Sequence, residues 1–190
     1  EVAALALALV GRKFVDVFER YPNLSSFGYM IKDTSRGRVK LGRGGRTAVS
    51  YWMNGDDTRR LQRCAASLTE LYLAAGARAV YPGVHGFGEI KDETDLTELR
   101  TRRLRPGDFT LSAVHPLGTA RMGTDPRTSV VGPDHESHDV KGLFIVDGSA
   151  VPSALGVNPQ ITIMALATRA AEGLHGRLEG HPRTDSPQPG

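Results

Sequence analysis

The sequence of 190 residues contains one cysteine, no long hydrophobic run and only a small excess of positive charge. A single thiol, Cys64, cannot form an internal disulfide or a cysteine-rich zinc or iron–sulfur site. The longest apolar stretch, residues 2–10, is too short for a transmembrane helix, which needs about 20 residues. Lysine and arginine total 24 against 21 aspartate and glutamate, for a net charge of +3. Because this excess is small and scattered, the sequence does not favour a nucleic-acid-binding protein.

The two ends of the sequence indicate how it is organised. The first residue is Glu1 rather than methionine, and no basic segment precedes the apolar stretch, so the stretch does not have the form of a secretory signal. We therefore expect this chain to be the C-terminal part of a longer protein. Localisation signals would lie on the missing part, and the cytoplasm is the default expectation. Residues 179–190 are rich in proline and lack periodicity, which predicts a disordered tail.

The first half of the chain has the pattern of a small antiparallel sheet with helices. Residues 29–52 read as a meander of three strands joined by glycine-containing turns, the first strand being at 29–33. A short strand is also predicted at 77–81. Residues 92–104 form a polar helical segment, which is interpreted either as a lid over a ligand or as a solvated surface helix.

A long helix is predicted after the meander. Asp56 or Asp57 can cap its N-terminus, and apolar residues recur at steps of three and four as far as Ala75. Gly76 then ends the helix.

The second half of the chain contains most of the residues that can carry chemistry. A strand is predicted at 109–114, and Pro116 forces an extended backbone at His115. A histidine at a strand end, before a loop that contains Gly118, can act as a proton acceptor because imidazole titrates near neutrality. A structural histidine that bridges two loops is the equal alternative.

A second apolar run, residues 143–146, predicts a buried strand that ends at Asp147 and Gly148. An acidic residue at the end of a strand can meet the hydroxyl groups of a cofactor. The alternative, which this segment alone favours, is a turn aspartate that bonds its own backbone.

The pair Asn158-Pro159 predicts a helix start, with Asn158 as the cap and Pro159 as the first helical residue. The helix that follows, residues 161–174, is apolar on nearly all sides, which predicts that it is buried. Its positive N-terminus can stabilise an anion such as a reduced flavin. Asn158 either faces the same site or only caps the helix.

Taken in order, these pieces resemble the C-terminal region of the glucose–methanol–choline (GMC) oxidoreductases, which are FAD-dependent alcohol oxidases and dehydrogenases. The resemblance rests on His-Pro-x-Gly-Thr-x-x-Met-Gly at 115–123, Gly-Leu-x-x-x-Asp-Gly-Ser at 142–149 and Asn-Pro at 158–159. It is strong over residues 109–175 and weaker over the meander and the helix after it. Each motif alone is weak, but the three in this order are highly specific.

The resemblance implies an α+β fold in two parts. Residues 1–110 would form part of a substrate-binding domain, with a mainly antiparallel sheet and helices on one side. Residues 111–178 would carry the catalytic segment and a C-terminal strand and helix that complete an FAD domain. The N-terminal FAD-binding domain itself, with its Gly-x-Gly-x-x-Gly unit, is absent from this sequence. We therefore expect this chain alone to bind FAD poorly, to be inactive and to expose hydrophobic surface.

The resemblance also implies roles for particular residues. His115 takes the hydroxyl proton of an alcohol while the hydride moves to flavin N5, and Asn158 orients the substrate oxygen. An asparagine rather than a histidine at position 158 favours bulky apolar alcohols, either sterols or long-chain alcohols. The residues implied to contact FAD are Asp147, Gly148, Pro159 and Gln160.

Three other functions are compatible with some of these residues. A serine hydrolase could use His115, Asp147 and Ser149, although the sequence has no Gly-x-Ser-x-Gly elbow around that serine. His135 and His138 could bind a metal ion, but no third ligand is evident and no metal site is expected. A non-catalytic ligand-binding or structural module that keeps the fold is the third alternative.

Overall fold

The structure is a computed structural model that describes residues 9–180. The chain divides into two compact units, of which one ends at Ser112 and the other begins at Ala113. The described residues are α+β, with four α-helices and one two-stranded antiparallel sheet. The tail predicted to be disordered lies outside the described residues from position 181 onward, as does most of the apolar N-terminal stretch.

The N-terminal unit contains three helices and the hairpin: α1 (Arg12–Phe18), β1 (Arg36–Leu41), β2 (Thr47–Trp52), α2 (Gly55–Ala74) and α3 (Glu93–Thr101). The two strands pair antiparallel, with Val39 opposite Val49. A turn with positive φ at Gly44 and Gly45 joins them. The prediction of an antiparallel pair is confirmed, but the predicted first strand at 29–33 is wrong, since that segment forms no strand.

Asp57 ties the two residues immediately before β1 to helix α2. Its side chain is fully buried and accepts hydrogen bonds from the backbone amides of Thr34 (2.8 Å) and Ser35 (2.7 Å). These amides are therefore committed to helix α2 and cannot bond a neighbouring strand. Asp57 does not cap α2 as predicted, because the cap is Asn54, which accepts from the Asp57 amide at 2.8 Å. Gly76, at φ +91°, follows the end of the helix as predicted.

The core of the N-terminal unit lies between α2 and α3. Leu61 and Ala65 of α2 pack with Leu96 and Leu99 of α3, which are 1% and 0% exposed. Asp92 caps α3 by accepting from two backbone amides. This segment is therefore a surface helix with an exposed polar face, and its two buried leucines join it to the core. The residues that complete the core are Ala66, Val84, Ile90 and Phe109.

Predicted strands in the rest of the chain are reduced to isolated bridges. Val80 pairs with Ile90, Phe109 with Val84, and Phe144 with Glu136. The predicted strands at 77–81, 109–114 and 143–146 are therefore wrong in length, since each stretch makes a single bridge in the part of the chain that the structure describes.

The C-terminal unit consists of bonded loops and one long helix, α4 (Gln160–Leu178). None of its residues is buried, and Ile161 and Met164 are 76% and 57% exposed. The prediction of a buried helix is therefore wrong for the residues that the structure describes. Across residues 9–180, the helices lack the combination of length and apolar character needed to cross a membrane.

The C-terminal end of α4 is fixed to a loop by Arg177. Its guanidinium donates to Glu136 Oε2 at 2.7 Å and also bonds Asp134. The Gly142 amide and then this guanidinium hold the pKa of Glu136 below its ordinary value. Burial raises the pKa of Asp134, but the Arg177 bond and nearby backbone amides outweigh it and lower the pKa. One end of the helix is thus attached to the loop, and the other end faces the candidate site.

Candidate active site

Three backbone hydrogen bonds place the loop that follows His115 beside the turn at Gly148–Ala150. The amides of Gly118, Ala120 and Met122 donate to the carbonyls of residues 148, 149 and 150, at 3.4, 3.0 and 2.8 Å. Gly118 has φ +78°, and a Cβ there would lie 3.3 Å from the Val151 carbonyl oxygen. Only glycine takes this conformation without strain, so Gly118 lets the two segments run side by side.

Gly148 is the point where the loop, the turn and α4 meet. A Cβ at this position would lie 3.2 Å from the side chain of Ile163 on α4 and 3.2 Å from that of Leu117. Both distances are tighter than ordinary van der Waals contact. The missing side chain therefore allows the first turns of α4 to approach the residues next to His115.

An open cleft of about 390 Å³ lies at this meeting point. His115 and Gln160 are its polar side chains, and Gly148 supplies backbone. The remaining residues of its wall are apolar, and they are Val114, Pro116, Leu117, Pro159, Ile163 and Met164. The cleft is thus a mainly apolar surface with one imidazole and one side-chain amide in it.

His115 is half-buried at the cleft wall. The hydrogen bonds made by histidine side chains within residues 9–180 belong to His135 and His138, and none involves His115. Both of its ring nitrogens are therefore available to a ligand. No other residue of the wall can gain or lose a proton near neutral pH.

Asp147 organises the turn next to the cleft. Its Oδ1 accepts from the Ser149 amide at 2.7 Å and from the Ser149 hydroxyl at 2.5 Å. These two bonds lower the pKa of the carboxyl group, which is solvent-exposed. The expectation of a turn aspartate that bonds its own backbone is thus met, while Oδ2 makes no hydrogen bond to a described residue. Because the Ser149 hydroxyl is bonded to Asp147 and not to His115, these residues do not form a hydrolase triad.

The N-terminus of α4 differs from the prediction. The position before the first helical residue is occupied by Pro159, and no side chain caps the helix. Asn158 therefore stands one residue too early to be the cap, and its exposed side chain makes no hydrogen bond to a described residue. The amides of Gln160, Ile161 and Thr162 likewise have no acceptor among residues 9–180. Three unpaired N–H groups and the positive end of the helix dipole thus face out beside the cleft.

The structure brings four of the six predicted site residues to the cleft wall, namely His115, Gly148, Pro159 and Gln160. Asp147 and Asn158 do not line it, although each directly precedes a residue that does. The apolar wall of the cleft was not predicted from the sequence. It could have been inferred from the spacing of Gln160, Ile163 and Met164, which places their side chains on one helix face.

The two histidines considered as metal ligands are engaged in loop structure. His135 is 1% exposed, and its Nδ1 lies 2.9 Å from the Ile145 carbonyl oxygen, while its buried Nε2 has no partner. His138 Nε2 lies 3.1 Å from the Gly123 carbonyl oxygen, which can only accept, so this nitrogen carries a proton and cannot bind a metal. Across the described part of the chain, no three His, Cys, Asp or Glu side chains are grouped to hold a metal ion.

Comparison with known proteins adds independent findings. Residues 33–167 match the family described as GMC oxidoreductase. An uncharacterised GMC-type oxidoreductase of Mycobacterium tuberculosis is 31% identical over 170 residues, which are 90% of this chain and 27% of that protein. A long-chain-alcohol oxidase of Arabidopsis thaliana is 27% identical over 73% of this chain and 20% of its own length.

Among solved structures, a crystal structure of pyridoxine 4-oxidase from Mesorbium loti matches with a TM-score of 0.51 and 25% identity. The match covers 76% of this chain and 28% of the oxidase. The chain therefore spans less than a third of the length of each of these proteins.

Proposed function

The chain belongs to the GMC oxidoreductase family, and on that premise we propose that it forms part of an FAD-dependent enzyme that oxidises an alcohol to a carbonyl compound. In this proposal the C-terminal unit supplies the proton acceptor, His115, and the surface against which the flavin and the alcohol meet. An FAD-binding domain elsewhere in that enzyme would supply the site for the rest of the cofactor.

The observation that carries the proposal is the position of His115. It is the one titratable side chain in the cleft wall, and both of its ring nitrogens are free of partners in the described residues. A general base needs an available lone pair within reach of the substrate hydroxyl and an ordinary pKa close to neutrality, and imidazole meets both conditions.

The residues around the cleft fit an FAD group in their chemistry. The apolar wall suits a flat ring system, and Asp147 Oδ2 is an unused acceptor for a hydroxyl of the ribityl chain. We assign Asp147 and Gly148 to the ribityl and pyrophosphate part of FAD, and Pro159 and Gln160 to the pyrimidine edge of the ring. The unpaired amides at the start of α4 would donate to negative charge at that edge. When bound, FAD would accept the hydride from the carbinol carbon.

The chain's own residues would act on the alcohol in two ways. His115 would take the hydroxyl proton as the carbon–hydrogen bond breaks, so that the proton and the hydride leave in different directions. Asn158 would hold the substrate oxygen, since its side-chain amide is exposed and uncommitted. The surrounding apolar side chains would exclude water from the hydroxyl while the proton is transferred.

The apolar wall supports a substrate whose bulk is hydrocarbon. We propose a sterol or a long-chain alcohol, because six of the nine cleft residues have apolar side chains. The similarity to a long-chain-alcohol oxidase supports this substrate class.

The test is the rate of flavin reduction in the flavoprotein that contains this chain, measured anaerobically by stopped-flow absorbance with a long-chain alcohol. His115→Ala should slow reduction by about 10²–10⁴-fold because the proton acceptor is lost. Added imidazole should restore part of the rate, because it can fill the space and accept the proton. A merely structural histidine would not respond in this way.

The matched control is His85→Ala, because His85 is exposed and its side chain makes no hydrogen bond within residues 9–180. This variant should reduce its flavin at the wild-type rate. A normal rate in His115→Ala, or equal losses in the two variants, would show that His115 is not the proton acceptor.

A further inference from the structure

The hairpin β1–β2 carries a local concentration of positive charge, contrary to the expectation that the excess charge is scattered. Between Thr34 and Gly55 the chain has five basic residues and no acidic one. This excess is larger than the net charge of the whole chain, which is +3, so the rest of the chain is slightly acidic in formal charge. The basic residues of this segment are Arg36, Arg38, Lys40, Arg43 and Arg46.

Strand geometry places three of these cations on one face. Arg36, Arg38 and Lys40 alternate along β1, so their side chains point the same way, about 6.6 Å apart from one to the next. The register sets Trp52 opposite Arg36 and Ser50 opposite Arg38, which puts the indole on the same face. A groove of about 350 Å³ runs between these side chains.

The face is open and unpaired. Every residue of β1 is exposed, and Trp52 is 73% exposed. The ion pairs among residues 9–180 include Arg59, Arg60, Arg100 and other basic residues, but none of the five on the hairpin. Their charge is therefore not neutralised by the described part of the chain, and an anionic partner would gain the full interaction.

We propose that this face of the hairpin docks on an anionic phospholipid surface. The three cations together span about 13 Å, a length that matches an array of phosphates. A single small anion would be held better by a closed site with backbone donors. Tryptophan is favoured at the boundary between headgroups and hydrocarbon, and Trp52 lies among the cations.

The inference does not depend on the proposed enzymatic activity. Its test is the partitioning of the full 190-residue chain onto vesicles, followed by the emission of Trp52, which is the only tryptophan in the sequence. With vesicles of phosphatidylcholine and phosphatidylserine we expect a blue shift that saturates, and with phosphatidylcholine alone no shift. Binding should weaken as salt is added, because exposed charges are screened within about 10 Å at 0.1 M.

The variant is R36Q/R38Q/K40Q, and the matched control is R63Q/R78Q/R103Q. Both remove three positive charges from exposed residues whose side chains make no hydrogen bond or ion pair in the described residues. Each cation near an anionic bilayer contributes about five-fold to partitioning, so the hairpin variant should lose roughly 100-fold. The control should lose much less. The single variant R38Q should lose about five-fold, which keeps the test informative if the triple variant folds poorly.

Three results would overturn the proposal. They are an unshifted Trp52 emission with phosphatidylserine vesicles, equal losses in the two triple variants, and tighter binding of a single-stranded oligonucleotide than of the vesicles. Inorganic phosphate and glycerophosphoserine, added as soluble competitors, distinguish binding to a lipid surface from binding to a single headgroup. If either soluble anion at millimolar concentration displaces the vesicles, the site binds one phosphate and the docking proposal is wrong.

Discussion

Replacing Asp57 by asparagine is the most direct test of how the N-terminal unit is held together. The carboxylate is fully buried and accepts from the two backbone amides of Thr34 and Ser35, from both of their hydroxyl groups and from Arg60. An asparagine can keep one carbonyl oxygen on the two amides. Its NH₂ group must then face Arg60, which is a donor against a donor.

The magnitude follows from those contacts. Hydrogen bonds to a charged group contribute about 1.5–3 kcal/mol each, against about 0.5–1.5 kcal/mol for neutral ones. Three bonds weakened by about 1 kcal/mol each, with the Arg60 bond lost but largely screened by solvent, reduce the free energy of unfolding by about 3–4 kcal/mol. Asp56→Asn is the control, because Asp56 is 71% exposed and, among residues 9–180, pairs only with Arg59, so its effect should stay within about 0.5 kcal/mol.

Urea unfolding followed by far-ultraviolet circular dichroism measures this difference, since α2 and α3 belong to this unit. The pH dependence adds a second check. Burial raises the pKa of Asp57, but the bonds from Ser35 and Thr34 outweigh it and lower the pKa. The stabilisation is therefore complete above the unfolded-state pKa of about 3.9 and is lost as pH falls through the folded value. The wild type and Asp57→Asn should converge in acid, and equal midpoints for the two asparagine variants at neutral pH would refute the reasoning.

Two further substitutions test the core and the cleft. Leu99→Ala should lower the free energy of unfolding by about 3 kcal/mol in the same urea assay, because Leu99 is 0% exposed, whereas Leu71→Ala, at a site 64% exposed, should cost under about 1 kcal/mol. Gly118→Ala should destabilise the C-terminal unit by about 2–3 kcal/mol, since it adds a close contact with the Val151 carbonyl to a left-handed backbone. Gly142→Ala keeps the left-handed backbone without the contact and should cost about 1 kcal/mol.

Hydrogen exchange followed by mass spectrometry reads out the glycine variants, because it reports on the C-terminal unit peptide by peptide. Peptides from residues 118–131 should exchange faster in Gly118→Ala than in Gly142→Ala. Identical exchange in the two variants would mean that the contact with Val151 does not constrain the loop. A Leu99→Ala variant no less stable than Leu71→Ala would contradict the position assigned to the core.

The sequence predicted helices better than strands, and the reason is physical. A helix satisfies its own backbone bonds, so the apolar periodicity after Asn54 and the stop at Gly76 were enough to place α2. A strand needs a neighbour at a specific register, and residues 109–114 and 143–146 show only β-forming residue types, not the presence of that neighbour. The burial of a helix is equally hard to predict, because it depends on what packs against the helix. Helix α4 is apolar in composition and yet has no buried residue among those described.

The candidate site was partly predictable for a related reason. The residue types at His115, Gly148 and Pro159-Gln160 were evident because proline and glycine carry strong local signals. The apolar wall formed by Leu117, Ile163 and Met164 was not, since it depends on how far the loop and the helix approach each other at Gly148. A one-residue shift of the helix start was enough to change Asn158 from a capping residue into an uncommitted one.

The three backbone bonds between residues 118–122 and 148–150 also bear on how the cleft assembles during folding. Helix α4 can form in well under a millisecond from local contacts, but the three bonds close a loop of about thirty residues and gain nothing until its ends meet. We therefore expect the helix to precede the cleft on the folding pathway. A species caught between these events would show native helical circular dichroism, yet it would have no wall opposite His115.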